Sequence, residues 1–195
     1  MKTATRDLGP SREGRFATTV GDMTAYVVYE SMFGSTQAVA RAIAEGLGEH
    51  TVVRCVEISD WVATPGGSSL PDDASLLVVG APTHAFSLSR ESTRSDAATK
   101  TTAALVTHGT GIREWLDALR LPDGIPIATF DTKVAKPNLP GSAARAAEKR
   151  LRKLGGHPLT PAHTFWVLGT TGGLRPGQLD EARAWGRTLV RSLVS

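Results

Sequence analysis

The chain has 195 residues, of which 41% are hydrophobic, and its formal net charge is +3. It is long enough for the core of one domain, and it contains no run of about 18 apolar residues, so we expect no membrane span. Its single cysteine, Cys55, excludes an intramolecular disulfide. The basic residues are spread over predicted helix ends and form no arginine-aromatic stripe, so we expect no nucleic-acid partner.

Residues 1–22 have few apolar side chains and lack the hydrophobic centre of a secretory signal. We therefore expect a disordered tail over 1–22, a single domain over 23–195 and a cytoplasmic location. The five histidines are scattered without ligand spacing, and no second cysteine accompanies Cys55. No metal site is expected for these reasons.

A predicted strand at 24–30 runs through a glycine-containing loop directly into a predicted helix at 36–48. The loop offers the hydroxyls of Ser31, Ser35 and Thr36. A helix N-terminus directs unpaired backbone N–H groups and the positive end of its dipole at such a loop. The loop has neither the lysine of a Walker motif nor a G-x-G-x-x-G pattern, so triphosphate and dinucleotide sites are disfavoured. The pattern predicts a site for a small phosphomonoester.

Two more predicted strands, at 75–80 and 125–130, end in loops that contain Pro82 and Gly141. Parallel strands bring such loops to one edge of the sheet, and ligands bind at that edge where the strand order reverses. The other predicted elements are strands at 51–58 and 164–168 and helices at 111–119, 142–154 and 178–193. Alternation of strand and helix at this spacing predicts a doubly wound sheet.

Two connections are predicted to lack a full element. Residues 59–73 are expected to hold only a short turn near Trp61, because they contain Pro65-Gly-Gly-Ser-Ser. Residues 87–107 are expected to form a long polar loop, which is either a lid or partner-docking loop or a solvated insertion. In the last helix, the predicted inward face consists of Leu179, Ala182, Trp185 and Leu189.

Ser31, Gly34 and Thr36 match the phosphate loop of the flavodoxin family, which reads roughly [ST]-x-T-G-x-T, and the loops after 75–80 and 125–130 resemble its two flavin loops. The resemblance extends from residue 24 to about residue 193. It implies an α/β fold with a flavodoxin-like, doubly wound, five-stranded parallel sheet in the order 2-1-3-4-5 flanked by helices, and it implies FMN as the cofactor.

The resemblance also assigns cofactor contacts to three loops. They are Ser31, Met32, Phe33, Gly34, Ser35 and Thr36 on the phosphate, Pro82, Thr83, His84, Ala85 and Phe86 along the flavin ring, and Asp131, Thr132 and Lys133 on its other side.

Some features depart from the family pattern. Phe33 replaces a threonine, and the third loop has no aromatic residue. Lys133 and Lys136 in that loop would raise the reduction potential by Coulomb attraction to a reduced flavin, if the loop folds over the site. The chain is also basic, whereas flavodoxins resemble one another in being strongly acidic.

The sequence thus predicts an FMN-binding redox protein, either an electron carrier or a small flavin-dependent oxidoreductase. Its partner would be a redox protein or a small-molecule electron donor or acceptor, and the oligomeric state is open. One alternative is an oxidoreductase for a quinone or for a porphyrin-type or natural-product substrate, with His84 as the candidate catalytic proton donor. The other is a degenerate flavodoxin-like module without flavin.

Overall fold

The fold is given by a computed structural model that describes residues 23–84, 86–99, 105–135, 140–169 and 171–194. The strands are β1 (Thr24–Tyr29), β2 (Val52–Glu57), β3 (Ala74–Pro82), β4 (Pro126–Val134), β5 (His157–Pro158) and β6 (His163–Val167). The helices are α1 (Ser35–Gly48), α2 (Ile58–Ala63), α3 (Glu91–Ala98), α4 (Ile112–Ala118), α5 (Ala143–Lys153) and α6 (Gln178–Leu193).

The strands form one parallel sheet in the order β2-β1-β3-β4-β5, and β6 also pairs with β4. β5 pairs with the first residues of β4, while β6 pairs with Phe130–Val134. The fifth position is therefore one strand in two pieces, interrupted at 159–162. The predicted order 2-1-3-4-5 is confirmed. The chain changes direction across the sheet between β1 and β3, which makes their carboxyl ends the switch point.

Both faces of the sheet are covered by helices. On β1, Tyr26 and Val28 pack in the core with residues of α2, α4 and α5, while Val27 and Tyr29 pack with residues of α1 and α6. Every residue of β1 is buried, as expected for a central strand of a parallel sheet with helices on both sides. Among the described residues, no helix is both long and apolar enough to cross a membrane.

The predicted loop at 87–107 is wrong in part, because residues 91–98 form α3. This helix has no apolar stripe that periodicity could detect. It is held by Arg94, which is 8% exposed and forms an ion pair with Glu114 at 3.1 Å and a hydrogen bond to the Ser89 hydroxyl at 2.9 Å. The predicted short turn near Trp61 is the six-residue helix α2.

The predicted inward face of the last helix is wrong at Leu179, which is 37% exposed. Gln178 is buried in its place, and its Oε1 accepts a hydrogen bond from the backbone N–H of Trp166 at 2.6 Å. Ala182, Trp185 and Leu189 are buried as expected. A polar side chain with a specific backbone partner thus takes the position that hydrophobicity alone assigns to leucine.

Candidate functional site

The carboxyl ends of β1, β3, β4 and β6 surround one cleft with a cavity of about 80 Å³. Its described lining contains no lysine, arginine, aspartate or glutamate side chain. The lining residues are Ser31, Met32, Phe33, Ser35, Thr36, Pro82, Thr83, His84, Thr132, Val134, Val167 and Gly169. The structure therefore brings two predicted loops together at the switch point, with part of β4 beside them.

The phosphate loop, residues 31–36, makes a tight turn into α1. Gly34 has φ 88°, in the left-handed region that glycine adopts without strain. The Ser31 hydroxyl accepts hydrogen bonds from the backbone N–H groups of Gly34 at 3.1 Å and Gln37 at 3.3 Å. Within the described part of the chain, four other backbone N–H groups of this turn have no hydrogen-bond acceptor, those of Met32, Phe33, Ser35 and Thr36.

The N-terminus of α1 differs from those of the other described helices in its charge. α1 has no acidic residue in its first turn and no carboxylate that accepts from its N-terminal N–H groups. α2, α3, α4 and α6 each have an acidic residue in the first turn, and in α5 the buried Asp131 accepts from the N–H of Ala144 at 3.1 Å. Because a helix N-terminus favours negative charge, α1 is the described helix whose N-terminus is left for an external anion.

The third predicted loop begins as a continuation of β4, which extends to Val134 because it pairs with β6. Successive side chains of a strand lie on opposite faces of the sheet, so Thr132 lies on one face and Asp131 and Lys133 lie on the other. Thr132 lines the cleft, and its hydroxyl lies 2.8 Å from that of Thr36, so β4 is tied directly to the phosphate loop. Asp131 and Lys133 are outside the lining of the cleft.

Asp131 is hydrogen-bonded to other residues of the protein at the start of α5. It is fully buried, and its Oδ2 accepts from the hydroxyls of Thr83 at 2.8 Å and Ser142 at 2.6 Å, as well as from the N–H of Ala144. Lys133 donates from Nζ to the Gly141 carbonyl at 3.1 Å, beside the start of α5. The geometry therefore gives Lys133 no contact with the cleft, and Lys136 lies outside the described residues.

The second loop contributes Pro82, Thr83 and His84 to the lining. His84 and Ser87 exchange backbone hydrogen bonds of 2.9 Å in both directions, which closes a tight turn. Phe86 in this turn has φ 72° and is 52% exposed, and it is absent from the described lining of the cleft. Ala85 lies outside the described residues.

Three lining residues were not anticipated, namely Val134, Val167 and Gly169. The glycine-rich run at 169–173 directly after the last strand was the available signal, because all parallel strands end at the same edge of the sheet. Leu168 and Gly173 close this turn with a hydrogen bond of 2.9 Å.

A second cavity of about 470 Å³ lies beside Thr107, between α3 and the start of α4. Its lining includes Glu91 and Glu114, and Arg94 there is already paired with Glu114. Carboxylates repel a phosphate. The cleft at α1, which has no carboxylate in its described lining, is therefore the more suitable phosphate site of the two, although its cavity is smaller.

Two other titratable groups near the sheet offer no reactive site. Burial raises the pKa of the Cys55 thiol to about 11, which keeps it protonated and inert at neutral pH. Burial also raises the pKa of Glu30, whose Oε2 accepts from the N–H of Ile112 at 2.8 Å. Among the residues that the structure describes, no cluster of three His, Cys, Asp or Glu side chains is arranged for a metal ion.

The flavodoxin family model matches residues 27–104. No curated protein matches the sequence. A flavodoxin from the domain Archaea is 18% identical with a TM-score of 0.61, over 89% of this chain and 100% of that chain. Oxidised Flavodoxin 1 from Bacillus cereus is 15% identical with a TM-score of 0.62, over 86% of this chain and 97% of that chain.

A further similar structure is the metal-soaked Flv1 flavodiiron core from Synechocystis sp. PCC6803. It is 14% identical with a TM-score of 0.57, over 88% of this chain and 36% of that chain. At these identities the solved structures establish the fold. The match to the flavodoxin family model over residues 27–104 and the strand order together show that this chain has a flavodoxin-like fold.

Proposed function

We propose that the protein binds FMN at the cleft and acts as a redox protein, either as an electron carrier or as a small flavin-dependent oxidoreductase. The observation that carries the proposal is the N-terminus of α1, where four residues that line the cleft have backbone N–H groups without an acceptor in the described chain and the described lining has no carboxylate. A phosphate dianion gains both hydrogen bonds and dipole attraction at such a site. The donor set therefore fits the phosphate end of FMN.

The hydroxyls of the cleft supplement these N–H groups. Thr36 and Thr132 share one hydrogen bond, so one of their two protons remains available for a phosphate oxygen. Ser31 accepts two hydrogen bonds and keeps its own proton to donate. Phe33, which replaces a threonine of the family pattern, lies in the lining next to these groups. The site thus compensates for the missing hydroxyl without any cationic side chain.

The cavity of about 80 Å³ is well below the ~300–1,000 Å³ of typical ligand pockets. It takes only part of FMN, and the rest of the cofactor would remain at the open mouth beside Pro82 and His84, accessible to a redox protein or a small electron donor or acceptor. When bound, FMN supplies one- and two-electron transfer. The chain holds the phosphate and controls access to the ring.

The proposal is tested by titrating cofactor-free protein with FMN and with riboflavin and following flavin fluorescence. We expect micromolar or tighter FMN binding and riboflavin binding that is weaker by about tenfold or more, equivalent to ~1.4 kcal/mol. The double variant Ser31→Ala, Thr36→Ala should lose most of this difference. Thr129→Val is the matched control, because Thr129 is a buried threonine whose hydroxyl has no partner within the described chain.

Absence of FMN binding, or equal affinity for FMN and riboflavin, would contradict the proposal. Absence of binding would favour the alternative of a flavin-free module.

A second candidate function is an oxidoreductase with its own quinone, porphyrin-type or natural-product substrate. It is favoured by the position of His84 among the residues that line the cleft. The assay is substrate-dependent oxidation of NAD(P)H by the FMN-loaded protein. Full activity of His84→Ala would eliminate histidine as the proton donor.

A further inference from the structure

The segment at 105–107, which follows α3, lies directly against the phosphate loop. Thr107 donates its backbone N–H to the Ser31 carbonyl at 2.8 Å, and Val106 donates to the Met32 carbonyl at 3.1 Å. The N–H of Ser31 in turn donates to the Thr107 hydroxyl at 2.8 Å, a contact that spans 76 residues of sequence. Three hydrogen bonds therefore fix the start of the loop to a segment far away in the chain.

The direction of the Thr107 hydroxyl is determined by its partners. It accepts from the Ser31 N–H, and it donates to Oε1 of Glu57 at 2.5 Å. A hydroxyl bound to a carboxylate at this distance makes a strong, charge-assisted hydrogen bond. Thr107 is 1% exposed and Glu57 is 8% exposed, so water competes little for this contact.

Glu57 is itself held in place at the start of α2. Its Oε2 accepts from the N–H of Ser59 at 2.7 Å. The Ser59 hydroxyl donates to the His108 carbonyl at 2.6 Å and accepts from the His108 N–H at 3.2 Å. The β2–α2 turn and the segment after α3 are therefore connected at two successive positions, 107 and 108.

These contacts determine how Ser31 is oriented. Ser31 is fully buried, and both its N–H and its carbonyl are bound to Thr107. Its hydroxyl is thereby turned toward the loop, where it accepts from Gly34 and Gln37. The residues at 32, 33, 35 and 36 line the cleft, and their N–H groups have no acceptor within the described chain.

We propose that Thr107, supported by Glu57, is a positioning residue that preorganises the phosphate loop, so that the insertion between β3 and α4 sets the affinity for the phosphate end of FMN. This proposal rests on the proposed FMN function. Neither side chain contacts the cleft, since both are absent from its described lining. Both act through the orientation of Ser31.

The test compares the ratio of the riboflavin Kd to the FMN Kd in four variants. Thr107→Val keeps the shape of the side chain and removes both hydrogen bonds of the hydroxyl, and we expect the ratio to fall about tenfold with less than a twofold change in the riboflavin Kd. Thr107→Ser should restore the ratio. Thr129→Val, the matched buried control, should leave it unchanged. Glu57→Gln should shift it in the same direction as Thr107→Val but by less.

Thermal unfolding followed by circular dichroism identifies any variant that fails to fold. If Thr107→Val fails to fold, the proposal is tested with Glu57→Gln alone. An unchanged ratio in the folded Thr107→Val protein, or in Glu57→Gln if it is the only folded variant, would overturn the proposal. An equal loss of FMN and riboflavin affinity would also overturn it, because that result indicates a general structural role.

A second readout needs no cofactor, namely amide hydrogen exchange at Gly34 and Gln37. We expect faster exchange at both amides in Thr107→Val and wild-type exchange in Thr129→Val. If wild-type protein fails to bind FMN, the proposed function fails, and this exchange decides separately whether Thr107 organises the loop. Unchanged exchange would refute the positioning role.

Discussion

Three buried carboxylates stand at or near the carboxyl edge of the sheet, and each accepts hydrogen bonds at the start of a helix. Glu57 accepts from a backbone N–H group at the start of α2, Glu30 does so at α4, and Asp131 does so at α5. Such contacts satisfy N–H groups that have no partner within the helix and complement its dipole. At the residue level, α1 contrasts with these helices because it has no such carboxylate, and the proposed phosphate site depends on that contrast.

Glu30 allows a prediction about pH. Burial raises its pKa above the ordinary value of 4.5. As pH rises from about 4.5 toward the folded-state pKa, the unfolded chain has lost a proton that the folded protein still holds, so stability declines with pH in this window and stays lower above it. Glu30→Gln keeps an oxygen acceptor for the Ile112 N–H and removes this titration.

We expect Glu30→Gln to show a flatter dependence of stability on pH than the wild type above pH 4.5, and to be more stable at pH 7. The measurement is urea denaturation at a series of pH values. Glu49→Gln is the control, because it changes an exposed carboxylate that is paired with Arg187 at 2.9 Å and should leave the slope unchanged. Parallel profiles for Glu30→Gln and wild type would refute the assignment.

At the level of elements, α1 is held in position by unusually close contact with α6. A Cβ atom at Gly46 would lie 2.1 Å from the Arg183 carbonyl oxygen, and one at Gly186 would lie 2.4 Å from the Ile43 carbonyl oxygen. Arg183 and Glu45 form an ion pair across the same contact at 2.6 Å. Because the loop at 31–36 leads into α1, this packing also fixes the position of the proposed phosphate site on the sheet.

Gly46→Ala should destabilise the protein, because the added methyl group forces two helix backbones apart. Overpacking of this kind costs about 1–3 kcal/mol, partly offset by the better helix propensity of alanine, ~1 kcal/mol. Gly48→Ala in the same helix is the control, since its Cβ would contact only Val53 Cγ2 at 3.9 Å. Urea denaturation of both variants gives the comparison, and equal stabilities would disprove the close packing.

At the level of the whole molecule, the order of the elements and the phosphate loop were predictable from local pattern. The change from a buried strand to a glycine turn and then to an amphipathic helix is contained within residues 24–48, so β1 and α1 lie within one residue of their predicted starts. The Ser142 cap of α5 is equally local, and its hydroxyl accepts from the N–H of Arg145 at 3.1 Å.

The features that were not predictable depend on contacts distant in sequence. β4 continues past Phe130 because β3 pairs with it as far as Thr132 and β6 as far as Val134, and alternation along this strand separates Asp131 and Lys133 from Thr132 in the cleft. The contact between Ser31 and Thr107 spans 76 residues. α3 depends on the Arg94 ion pair and hydrogen bond instead of an apolar stripe. No local periodicity encodes such interactions.

The net charge of +3 belongs to the chain as a whole, whereas the described lining of the cleft contains no lysine or arginine. In the proposed site the phosphate of FMN is held by backbone dipoles and hydroxyls, and the net charge of the chain is left to act on partners. Long-range attraction of an acidic partner would then weaken with rising ionic strength, while binding of the phosphate in its partly enclosed site would change less.

In the proposed site, the phosphate of FMN is held by the backbone N–H groups at the start of α1. The most direct test is to record amide NMR spectra of isotope-labelled, cofactor-free protein while FMN is added. We expect the largest shifts at the amides of Met32, Phe33, Ser35 and Thr36, and we expect riboflavin to leave these four nearly unchanged. Unshifted amides at these positions under saturating FMN, or shifts confined to the cavity beside Arg94, would contradict the proposal.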